Sequence, residues 1–309
     1  MAAALGVKPQ IPAKDKPKKD FKSMMCVLGF VLVFTIVGGA ADRPPLTFTF
    51  NKANVRGAVQ TFPEGVNNAG VVVGFYQGKN LVYHGYMLKG KQLTNLDDPN
   101  GTNTIASTIQ YNGKSVVGGY TNSSGVSVGF LYKGGKFTDI AGPTGSVAAG
   151  ANGINDKGAI VGYYLDSNGI AHGFLLKGTK YTTLDVHGAT GTEAYGINDK
   201  GTIALEWTNS TGAVESSLYN GKTYKKINVP KAVNSDVLGL NNEGDVVYEW
   251  SDSSGAYHAA LLHAGKYYKF DYPKAVFTYG GGINDRSTIV GGYATTTNGP
   301  ISGLKATYK

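Results

Sequence analysis

Both tryptophans of this 309-residue chain follow a glutamate in two similar segments, Leu205-Glu206-Trp207 and Tyr248-Glu249-Trp250, which lie 43 residues apart. Fourteen residues before each Trp stands a second carboxylate, Glu193 in one segment and Asp236 in the other. Trp offers a flat apolar surface with one N–H donor, and carboxylates accept hydrogen bonds from hydroxyls, so the combination suits a sugar. If two of these carboxylates faced each other across a cleft at about 5 to 9 Å, glycoside hydrolysis would become chemically available. Glu193 and Asp236 each lie five residues before a recurring Asn, the position that Tyr279 holds in a further segment. Three residues before that Asn come Glu64, Asn152 and Tyr195. The candidate ligand-binding set is therefore Glu64, Asn152, Glu193, Tyr195, Glu206, Trp207, Asp236, Glu249, Trp250 and Tyr279. A structural account competes with it. Tyr76, Tyr120, Tyr164 and Tyr293 occupy the Trp position elsewhere, which is the periodicity of a core. Neighbours in a strand also point to opposite faces, so Glu206 and Trp207 cannot both reach one ligand.

What positions these residues is a repeat, clearest over residues 149–190. Ala151–Asn155 ends in the turn Asn155-Asp156-Lys157-Gly158, and Ala159–Tyr164 breaks at Asp166-Ser167-Asn168-Gly169. His172–Leu176 and Tyr181–Leu184 follow, joined by Lys177-Gly178-Thr179-Lys180. Asn and Asp bond their own backbone in such turns and Gly supplies positive φ. The runs are β-branched and aromatic with no sustained 3.6-residue period, so each unit reads as four antiparallel strands. The marker residues Asn67, Gln110, Asn155, Asn198, Asn241 and Asn284 are spaced 43, 45, 43, 43 and 43 residues apart. Four strands per period of this length define the blade of a β-propeller. The fold expected is all-β, a six-bladed β-propeller. The sixth unit shows three strands only, and Leu46–Phe50 matches the missing fourth, so that N-terminal strand (about 46–50) is expected to close the ring and leave no free edge.

The turns Gly-Ile-Asn-Asp and Gly-Leu-Asn-Asn, the Val-Val-Gly or Ile-Val-Gly second strands, and the third-strand His84-Gly85-Tyr86 and His172-Gly173-Phe174 carry a resemblance. Over about residues 46–309 the chain resembles the HAF-repeat family of extracellular bacterial proteins. The resemblance implies export and a propeller-like repeat, and it transfers no activity and no site residue. Units two, four and six depart from it, lacking the His.

The first 41 residues differ in character. Six lysines precede the apolar run Met24–Val37, which leads to Gly38-Gly39-Ala40-Ala41. A basic start, an apolar core of about 14 residues and small residues at the exit describe a secretory signal peptide. The alternative is a membrane anchor, for which the run is marginal in length. The expected domains are thus residues 1–41 as signal peptide and 42–309 as propeller, secreted or held at the periplasm or cell surface. The net charge of +8 falls to about +4 without the leader, and Cys26, the single cysteine, leaves with it. The remaining lysines are scattered singly across turns, which argues against nucleic acid as a partner and leaves nothing to hold a membrane after cleavage. His84, His172 and His258 sit on alternate units and cannot share a metal ion, so no metal and no cofactor is expected. The sequence supports a monomeric, non-catalytic binding module for a glycan or an extracellular protein. A carbohydrate-active enzyme (glycoside hydrolase or lyase) using the carboxylates of units four and five competes with it, and a structural envelope or matrix component is the third reading.

Overall fold

The computed structural model describes residues 46–309; the segment 1–41, expected to be a signal peptide, lies outside the described residues. Six four-stranded antiparallel sheets follow one another, each strand pairing with the next in sequence. Their innermost strands are β2 (Gln60–Val66), β6 (Gly101–Ile109), β10 (Ala148–Ile154), β14 (Gly191–Ile197), β18 (Asn234–Leu240) and β22 (Phe277–Ile283). The molecule is a six-bladed β-propeller.

Ring closure follows the expected route, with the closing strand's bounds two residues further along. In the sixth blade β22 pairs with β23 (Thr288–Ala294), β23 with β24 (Ser302–Tyr308), and the outer place is taken by β1 (Phe48–Lys52). Phe48 stands opposite Tyr308 and Lys52 opposite Leu304. The core is divided among the seams between blades, where aliphatic and aromatic side chains of adjacent sheets interlock. One such cluster joins Val117 and Ile140 of blade two to Ile154, Ile160 and Phe174 of blade three.

The recurring Asn has two tasks. Asn198 Oδ1 accepts the N–H groups of Lys200 (3.1 Å) and Thr202 (3.0 Å), which holds its own hairpin. Its Nδ2 donates to the carbonyl of Asn241 on the next blade at 3.1 Å. Asn155, Asn241 and Asn284 donate in the same way to Asn198, Asn284 and Asn67. Gln110 makes the inter-blade bond to Asn155 O at 2.7 Å with its longer arm. A hairpin device thereby becomes a clamp around the ring. Asn198→Ala is expected to cost about 2 kcal/mol, one buried and two part-buried bonds being lost at once. Urea unfolding checks this against Asn209→Ala, whose turn bonds lie in an exposed loop; equal losses would leave the inter-blade bond without weight.

Blade two breaks the pattern where Tyr111 follows the marker. Its hydroxyl donates to Leu240 O of blade five at 2.5 Å, and blades two and five face each other across a ring of six. The axial channel is thus crossed by a side chain at the end that carries the Asn turns.

Candidate functional site

Strand direction places the loops between second and third strands, and the segments entering each blade, at the other end of the channel. There the mouth widens into a cavity of about 610 Å³, within the range of small-ligand sites. Its wall is built from paired positions. The residue five before each marker stands opposite one residue of the second strand, giving Phe62–Phe75, Ile105–Gly119, Gly150–Tyr163, Glu193–Glu206, Asp236–Glu249 and Tyr279–Gly292. Cross-strand partners share a face; both members line the cavity in blades one and four, and one member does in the other blades.

Those pairs divide the wall into two kinds of surface. In blade one Phe62 and Phe75 stack at 4.5 Å, with Tyr83 edge-on to Phe75 at 5.5 Å. In blades three and six a tyrosine lies over a glycine: a Cβ on Gly150 would meet Tyr163 at 2.6 Å, and one on Gly292 would meet Tyr279 at 2.5 Å. Only glycine leaves room for these rings. Blades four and five contribute Glu193, Glu206 and Asp236 instead, and Glu64 adds a fourth carboxylate deeper in. The lining holds no Lys, Arg or His. The loop between β23 and β24 overhangs the cavity through Thr296–Ile301.

Local bonds orient the polar groups. Tyr279 donates to Glu64 Oε1 at 3.1 Å and Tyr195 to Glu193 Oε2 at 3.3 Å. Asn152 Nδ2 donates to Ala194 O at 3.2 Å, tying blade three to blade four at the floor. Burial pushes the Glu193 carboxyl up to about 7, against the pull of the Tyr195 hydroxyl. Burial and the neighbouring Glu193 charge raise the Tyr163 phenol to about 12. Near neutral pH the site therefore contains a carboxyl that is a proton donor for part of the time.

Of the ten residues singled out from the sequence, seven line the cavity: Glu64, Asn152, Glu193, Tyr195, Glu206, Asp236 and Tyr279. Trp207, Trp250 and Glu249 do not. The register sets Trp207 opposite Thr192 and Trp250 opposite Ser235, on the sheet face turned away from the paired carboxylates. Trp207 Nε1 donates to Ser217 Oγ at 3.0 Å, and Lys226 Nζ stands 5.9 Å from its ring. Trp250 packs on His258 with ring centres 4.6 Å apart and joins the seam between blades four and five. These tryptophans hold the place that Tyr76 and Tyr164 fill over His84 and His172. Glu249 is buried at 3% exposure in β19 (Val246–Ser251), outside the lining. Phe62, Phe75, Tyr83, Tyr163 and the overhanging loop are among the lining groups that the candidate set lacks.

The third-strand histidines are loop fasteners. His84, His172 and His258 each bind an aspartate thirteen residues on, at 2.8 to 2.9 Å through Nδ1. Among the described residues no group of three or more His, Cys, Asp or Glu is placed to hold a metal ion.

No family model matches the chain, and no curated protein matches it. Solved structures do. A TolB-like protein of Agrobacterium tumefaciens superposes with a TM-score of 0.55 at 12% identity, covering 81% of this chain and 91% of that one. The SapL1 lectin, solved with alpha-methyl fucoside, gives 0.53 at 9% identity over 80% and 92%. AofleA from Arthrobotrys oligospora gives 0.52 at 10% identity over 85% and 92%. At these identities the likeness establishes the propeller fold.

Proposed function

We propose that this protein is a secreted glycan-binding module whose ligand seats in the mouth cavity. One observation carries the reading: a cavity of about 610 Å³ lined by aromatic rings of blades one, three and six and by carboxylates, three of them from blades four and five. Sugars present both surfaces, C–H patches that pack on rings and hydroxyls that donate to carboxylates. A propeller of similar architecture holds a fucoside in the SapL1 lectin, which supports the choice of ligand class. The leader-like residues 1–41 and the HAF-like repeat support a place outside the cell.

Glycan-array binding by the full chain tests this. Glu206→Gln/Asp236→Asn is expected to weaken binding at least about tenfold, two charge-assisted bonds being lost. Trp207→Phe/Trp250→Phe should leave it unchanged. Absence of any saccharide binding, or the reverse order of effects, would sink the proposal. The raised Glu193 carboxyl beside Glu206 favours a second reading, hydrolysis of the bound glycan with Glu193 as general acid. New reducing ends on incubation with the bound glycan would establish it; an intact glycan leaves a binding module.

A further inference from the structure

The end of the propeller opposite the cavity has its own chemistry. Chain direction brings two sets of turns there, those joining first to second strands and those joining third to fourth. In blades one to five the third-to-fourth hairpins and their flanking residues carry eight lysines and no carboxylate. Lys136, Lys180 and Lys266, which open their fourth strands, are exposed. The inner turns add four more basic residues, among them Lys157, Lys200 and Arg286, against five acids. Of these acids Asp245 is buried against His263, Asp199 and Asp285 accept the Asn242 amide, and Asp156 accepts the Asn112 N–H, while Glu243 is exposed. At the mouth end the connecting loops carry four basic and six acidic residues, besides the carboxylates of the cavity. The disc is a charge dipole, basic on one face and acidic on the other.

We infer that the basic face docks flat onto an anionic lipid bilayer and turns the cavity outward. Lysines that stand singly in the sequence are gathered by the 43-residue period into one plane. That plane is made of short hairpins, with no helix to enter a nucleic-acid groove and with the ligand-sized cavity at the opposite end. Distributed positive charge on a flat surface matches the extended negative potential of anionic headgroups. Three partly apolar side chains flank the hairpins on the same rim, Leu93, Tyr224 and Tyr267, exposed at 40%, 38% and 36%. Tyrosine and aliphatic groups beside lysine are suited to the headgroup layer. The inference is independent of what the cavity binds.

Vesicle co-sedimentation of the full chain tests it, comparing mixed phosphatidylglycerol–phosphatidylcholine vesicles with pure phosphatidylcholine. The difference between the two is the readout, and the N-terminal lysines and apolar run are common to every variant. Lys136→Glu/Lys180→Glu/Lys266→Glu is expected to reduce the preference for anionic vesicles by roughly 100-fold, three attractive charges being lost and three repulsive ones introduced. Lys79→Glu/Lys231→Glu/Lys274→Glu, on the mouth-end loops, should leave it within about twofold. The preference should also vanish near 1 M salt, where the Debye length is about 3 Å. A preference unaltered by the first triple variant, or equally lost in the second, overturns the inference. So does a chain that holds heparin or DNA and shows no preference among vesicles. All six lysines are surface groups without packing roles, and unchanged thermal unfolding verifies that each variant is folded.

Discussion

Excising Phe48–Lys52 should lower stability on the order of 5 kcal/mol, more than any single substitution outside the seams. The segment supplies the outer strand of blade six, and its two half-buried aromatic rings pack on the seam between blades five and six. Phe48 stacks on Phe270 at 5.3 Å and meets Tyr308 at 6.0 Å, while Phe50 lies edge-on to Tyr272 at 5.6 Å. Burying a Phe side chain contributes about 1.5 to 3 kcal/mol, and the ladder to β24 is lost as well. For a protein of this size the melting temperature should fall by roughly 10 to 20 °C. A bare β24 would also present an unpaired edge, so size-exclusion chromatography should show dimers formed by edge pairing. A peptide spanning residues 46–53, added in trans, should restore much of the loss. A melting temperature within about 2 °C of the intact chain, with no change in size, would mean that closure rests on the other strands alone.

The same strand shows what the sequence makes legible. Its alternating Thr and Phe pattern and the unit it completes are local features, and they survive a two-residue offset in the strand's bounds. The turns were legible for a similar reason, since Asn-Asp-x-Gly bonds its own backbone and needs no tertiary partner. What the Asn amide does with its remaining donor was hidden, because Asn198 and Asn241 meet only after the ring closes. At the site, period and register together pointed to Glu193 and Asp236 on neighbouring blades. Period alone misdirected the choice of Trp207 and Trp250: residues adjacent to Glu206 and Glu249 in a strand face the other way. Tyr163 and Phe75 escaped notice because an aromatic in a repeat looks like core. Gly150, opposite Tyr163, is the signal that could have found it, since a glycine across from a large ring leaves that ring free to lean into the channel. Lysines spaced about 43 residues apart carry no local pattern at all, and only the strand direction reveals that they share a face.

Replacing Glu193 by Gln should remove a pH dependence that the intact chain displays between about 4.5 and 7. An ordinary Glu loses its proton near 4.5, the value expected in the unfolded chain, whereas burial holds the folded carboxyl up to about 7. Between these values the folded state binds the additional proton, so stability falls as pH rises through the window. The contribution is fully present below about 4.5 and lost above about 7, with a magnitude on the order of 3 kcal/mol. Glu206 stands opposite Glu193, and Asp236 lies on the adjacent blade of the same wall. Gln keeps the shape and an oxygen for the Tyr195 hydroxyl and carries no charge to desolvate. The variant should therefore be less sensitive to pH and more stable than the intact chain at pH 8, with the two converging near pH 5. The half-buried Asp166 and Asp252, whose carboxyls their loop bonds hold below the usual range, titrate in both proteins and cancel in the difference. Urea unfolding across that range reads the difference directly. Parallel curves would show Glu193 ionised throughout, and the general-acid reading of the cavity would fall with it. A converging pair would establish a carboxyl facing the cavity that is neutral for part of the time near pH 7 and can then donate a hydrogen bond.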